Sequence, residues 1–147
     1  MASQEEPDLY ELARGQVSSQ QGEAAEIAEK IIATALKSAK GKQETRMVVR
    51  RTCRGAMSGL ILAKKNHWLP DAAISLLRAM ARLADQFNLL PTDMMTWCME
   101  GIADVTAIAG PESAAAIQSK IQVEFMGAED IFKEFCQKAV AKNWWTK

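Results

Sequence analysis

The sequence predicts an all-α protein, an antiparallel bundle of about five helices behind a short flexible N-terminal arm. Three observations carry that reading. No stretch of the 147 residues alternates apolar and polar positions as a half-buried strand does. Alanine, the strongest helix former, occurs 24 times. Apolar residues recur instead at spacings of three and four, in segments separated by Gly, Pro and Asn. A chain of this length fits one domain and folds without a disulfide or metal staple. Residues 1–16 read as the acidic arm and 17–147 as a single helical domain.

In the arm, Ser3 and Glu6 have capping-box spacing, and Leu9, Leu12 and Ala13 supply one amphipathic turn ending at Gly15. The first long helix should run from about Gln20 to Ala39, with Ser18 or Ser19 to cap it and Gly41 to stop it. Ile27, Ala28, Ile31 and Ala35 mark its inner face. The second should run from about Gln43 to Lys65, with Val49, Cys53, Ala56 and Leu60 on one arc and Asn66 as a left-handed cap. Pro70 opens the third at a position where its missing N–H costs nothing. Ala73, Ile74, Leu77, Met80 and Ala84 form its inner face. The fourth begins at Pro91 and reaches about Ala109, around Met94, Met95, Cys98, Ile102 and Val105. Gly110-Pro111 stops it, and a fifth helix spans roughly Glu112 to Lys142, which Gly127 kinks or splits. Leu-Pro pairs at 69–70 and 90–91 suggest a repeat, but the residues after them do not match.

Zero net charge conceals strong segregation. Residues 1–36 balance at −5, residues 37–82 at +9 and residues 83–147 at −4. A basic middle between acidic flanks faces either a partner or the chain's own acidic helices. Arg46, Arg50 and Arg54 lie at i, i+4 and i+8, and Arg51 falls on the same side of the wheel. Planar guanidinium forks on one face are ready for phosphates or carboxylates. Lys64 and Lys65 extend the basic surface at the negative end of the same helix. These six cations are candidate partner contacts, and with them the C-terminal Trp144 and Trp145, which should pack on the bundle, a sister subunit or a lipid interface.

Other features invite blander readings. Gly55 and Gly59 inside a helix call for close approach by another helix, within the bundle or across a dimer. Asp93, Glu100 and Asp104 share one face but lack the Glu-x-x-His of a di-iron bundle, and read as a solvated face or the partners of the arginines. Cys53, Cys98 and Cys136 fit no zinc or thioredoxin spacing and read as core thiols. His67 has no nucleophile within sequence reach and reads as a turn residue. The methionines Met57, Met80, Met94, Met95 and Met99 read as soft core. A helix–turn–helix around Asn88-Leu89-Leu90 fails, because its second helix carries Met, Trp and Cys where base-reading side chains belong.

No nucleophile–base pair, Gly-rich phosphate loop or dinucleotide fingerprint is present in the sequence. The expectation is a non-catalytic interaction or regulatory module, without a cofactor, that docks an acidic protein surface or self-associates through the basic helix face. One alternative is a nucleic-acid-binding protein using the Arg stripe, though neutral net charge suits it poorly. Another is a carrier or membrane-surface protein using the methionines and the Trp pair. No run of about 18 apolar residues offers a membrane span. The acidic start lacks the apolar core of a signal peptide, so the expected location is the cytoplasm.

Overall fold

The structure is a computed structural model that describes residues 8–142. Among them every regular element is helical: α1 (Leu9–Ser18), α2 (Ala24–Leu36), α3 (Gly41–Leu62), α4 (Leu69–Gln86), α5 (Pro91–Ala109), α6 (Pro111–Glu124) and α7 (Glu129–Lys142). A short 3-10 turn, Asn66–Trp68, joins α3 to α4. The bundle therefore holds seven α-helices among the described residues, where the sequence pattern suggests about five.

Two features account for the difference. Gly127 adopts φ +102°, a conformation closed to most L-residues, so the long fifth helix breaks into α6 and α7. The other is the arm. From Leu9 onward it is a helix, not a loose segment, and Asp8 caps it by accepting from the backbone N–H of Tyr10 at 3.1 Å and Glu11 at 3.3 Å. Ala13 and Val17 are buried against α3. The docking depends on atoms the other helix lacks. A Cβ on Gly55 would sit 2.3 Å from the Tyr10 carbonyl oxygen, and one on Gly59 would sit 2.8 Å from that of Arg14. A third glycine, Gly101 of α5, lets that helix close on the Arg50 carbonyl oxygen, 2.5 Å from where its Cβ would stand.

Helix α3 is thus held between α1 and α5. Gly55 faces Tyr10 while Gly59 faces Arg14 and Val17, so α1 and α3 run in the same sense. Lys42 reaches Asp93 while Arg54 reaches Asp104, so α3 and α5 also run in the same sense, and α4 returns the chain between them. Cys136 lies beside Thr106, while Lys142 and Ala139 share a cleft with Glu100 and Asp104. Helix α7 therefore descends against α5. The core between these layers holds Leu76, Leu77, Met80, Leu83, Ile102 and Phe132, each wholly buried or nearly so. Left-handed residues close the helix ends: Lys64, not the expected Asn66, follows α3 at φ +63°, and Asn88 follows α4 at φ +56°. No helix among the described residues is long and apolar enough to cross a membrane.

Candidate functional site

The Arg stripe turns inward. Helix α5 presents Glu100 and Asp104 one turn apart, matching the spacing of the arginines on the parallel α3. Arg46 meets Glu100 fork to fork, Nε to Oε1 at 2.9 Å and Nη2 to Oε2 at 2.7 Å. Arg50 meets Asp104 in the same way, at 3.0 Å and 3.3 Å, and places Nη1 3.6 Å from Glu100. Arg54 donates from Nε and Nη2 to Asp104 Oδ2 at 3.0 Å and 2.8 Å. The carboxylates are nearly enclosed, with side-chain exposures of 10% for Glu100 and 4% for Asp104. Burial pushes the Glu100 carboxyl up, but the Arg46 hydrogen bonds and the charges of Arg50, Arg46 and Lys142 outweigh it and hold Glu100 below the ordinary carboxylate value. The same bonds raise Arg46.

Three of the four stripe arginines therefore have their forks occupied by the chain's own acids. Arg51 is exposed and has no ion-pair partner among the described residues. This division assigns the segregated charge largely to the fold, as a clamp between α3 and α5. Lys42 and Asp93 extend it by a looser contact at 3.4 Å.

The remaining basic residues lead to a different place. Lys64 forms the left-handed turn after α3. Lys65 sets its Nζ 3.9 Å from the centroid of the Trp68 ring, a cation–π contact, and His67 touches the same ring edge-on at 5.5 Å. The 3-10 turn holds Trp68 out from the core, so this large side chain stays 47% exposed. It stands at the mouth of a cleft of about 470 Å³ between α1, α2, α3 and α4. Val17, Ala24, Ala25, Leu60 and Ala72 give the cleft an apolar floor, and Glu23, Lys65 and Asp71 rim it. Asp71 is paired with Lys120 at 2.5 Å, which leaves Glu23 and Lys65 as the opposed charges of the rim. A volume within about 300–1,000 Å³, apolar walls and few polar groups are the usual attributes of a binding cleft.

The sequence pattern singles out Lys65 and gives no role to Trp68, which stands beside His67 in the same turn. The missed signal is a tryptophan placed in a turn, where neither adjoining helix can bury it. A second cleft, of about 520 Å³, lies at the other end of α3 beside Phe87, Leu90 and Trp97. There the tryptophan is only 9% exposed and already belongs to the core. Trp144 and Trp145 lie outside the described residues.

The thiols sit where core residues belong. Cys53 and Cys98 are fully buried, with their sulfurs 3.5 Å apart, and burial pushes Cys98 well above an ordinary thiol. Cys136 is half-buried and also raised, by burial, although a hydrogen bond from Thr106 opposes the shift. Neither Cys98 nor Cys136 has the lowered pKa of an activated nucleophile. Met57, Met80 and Met94 fill the core. Among the described residues no three His, Cys, Asp or Glu gather as a metal would require. No protein-family model, no curated protein and no solved structure matches this chain.

Proposed function

We propose that the protein is a non-catalytic interaction module whose docking surface is the Trp68 cleft. The observation that carries this reading is the half-exposed Trp68 at the mouth of an apolar cleft, with Lys65 stacked on its ring. Exposed tryptophans beside a water-excluding hollow are favoured anchors for binding energy. The partner would insert one apolar side chain over Leu60 and Ala72 and set a carboxylate near Lys64 and Lys65. An acidic protein segment with an aromatic or leucine anchor has that chemistry. Because Arg46, Arg50 and Arg54 engage Glu100 and Asp104, this docking draws on the end of α3 and not on its middle.

A displayed library of helical and extended peptides, panned against the protein, tests the reading. Selected peptides should be acidic with one large apolar anchor. Their amide-shift footprint should include Val17, Ala25, Leu60 and Ala72. Trp68→Ala should weaken them by about thirtyfold or more, the loss of one hot-spot residue, while the fold survives. Peptides that map elsewhere, or that ignore Trp68→Ala, would overturn it.

A further inference from the structure

A smaller cleft of about 130 Å³ opens between α3, α5 and α7, away from Trp68. Its floor is the ion-pair clamp, contributed by Arg46, Arg50, Glu100 and Asp104, and its outer wall is Lys138 and Lys142, one turn apart on α7. Phe135 and Ala139 close the sides with apolar surface. The charge in this niche does not balance. Glu100 and Asp104 already receive the forks of Arg46, Arg50 and Arg54. Lys138 makes no ion pair among the described residues, Lys142 acts on Glu100 only from beyond contact distance, and Arg46 spends its Nε and Nη2 on Glu100. Three cationic side chains thus line a hollow whose two carboxylates already face the arginine forks. A surplus of positive charge lining a concave surface raises the local concentration of anions.

We propose that this cleft is a binding site for a phosphate-type oxyanion, held by Lys138 and Lys142 from one side and by Arg46 from the other. Size sets the ligand class. The hollow falls well below the roughly 300–1,000 Å³ of clefts that enclose drug-sized molecules, so a compact ion or a single terminal phosphoryl group fits it and a nucleotide does not. Charge sets it too, because a dianion with several acceptor oxygens satisfies both ammonium groups and one guanidinium edge together. Bound there, the ion would tie α7 to the α3–α5 clamp, and α7 otherwise buries little more than Phe132 and Ala139. The site is separate from the Trp68 cleft, and it stands whether or not that cleft docks a peptide.

The test titrates the full chain with inorganic phosphate and, separately, with O-phosphoserine, at ionic strength held constant with chloride. Calorimetry and amide shifts read the binding. Shifts should centre on residues 135–142 of α7, and phosphate should raise the melting temperature more than equal chloride does. Binding of both probes assigns the site to a terminal phosphoryl group, and binding of phosphate alone assigns it to the free ion. Lys138→Gln with Lys142→Gln should weaken binding by at least about tenfold, whereas Lys138→Arg with Lys142→Arg should keep most of it. Both lysines are exposed, so these variants should fold as the parent does. No response to either probe beyond chloride would overturn the proposal, as would unchanged affinity in the glutamine double variant.

Discussion

Arg50 and Asp104, 54 residues apart in the chain, meet fork to fork with Nε–Oδ2 at 3.0 Å and Nη2–Oδ1 at 3.3 Å. Their side chains are 20% and 4% exposed, so the pair sits in the wall between α3 and α5 and not on the open surface. Around it Arg46, Arg54 and Glu100 complete a ladder that joins the basic middle of the chain to its acidic C-terminal segment. A stripe that looks like a partner surface on a helical wheel is here part of the packing.

Removing Asp104 leaves two partly buried guanidiniums without their shared carboxylate. Asp104→Ala should cost about 3 kcal/mol, the lower end for breaking a buried pair from one side. Glu29→Ala should cost less than about 1 kcal/mol, because its partner Arg82 is 61% exposed and water replaces the contact. Urea denaturation of the two variants measures the contrast.

The glycines predict opposite signs for one substitution. Gly55→Ala drives a methyl into the Tyr10 carbonyl and should cost about 2 kcal/mol by pushing α1 away. Gly15→Ala meets nothing within 4 Å in the exposed part of α1 and should stabilise by up to about 1 kcal/mol. Hydrogen exchange in residues 9–18 should quicken in the first variant and slow in the second.

How legible this was in the sequence depends on the element. Helices α3, α4 and α5 show through directly, because Val49-Cys53-Ala56-Leu60 and its equivalents repeat at helical spacing and Pro70 and Pro91 mark the starts. Helix α1 does not, because Ala13 and Val17 are few and small. What holds it is the absence of side chains on Gly55 and Gly59, a property of another helix. Close approach at those glycines was readable, but the identity of the approaching helix was not. Likewise the i, i+4 spacing of Arg46 and Arg50 matches that of Glu100 and Asp104. Only the parallel packing of α3 on α5 turns that match into contact. Trp68 owes its exposure to a 3-10 turn that no periodicity announces.

Acid should weaken the clamp through Glu100. Its pKa in the folded state lies below the unfolded value of 4.5, since the Arg46 and Arg50 interactions outweigh the opposing effect of burial. Its contribution is therefore present above that unfolded value and is lost as pH falls through the lower folded one. Glu100→Gln should lower stability near neutral pH and flatten the fall below about pH 4.5. Thermal melts from pH 7 to pH 3 check both parts.

The thiols should react in order of burial. Cys136 is half-buried and should label first in the native protein, while Cys53 and Cys98, both fully buried, should label only as the bundle opens. Mass spectrometry of timed alkylation gives the order. Labelling of Cys53 ahead of Cys136 would show that the α3–α5 interface is open.

Whether the Arg face belongs to the fold is decided by a double-mutant cycle on Arg50 and Asp104. Arg50→Ala, Asp104→Ala and the double variant are compared with the parent in urea. The coupling should be about 1.5 kcal/mol or more, because a nearly enclosed, doubly hydrogen-bonded pair is well above the exposed range. A coupling near zero, with Arg50→Ala as stable as the parent, would contradict it and return the stripe to the surface for a partner.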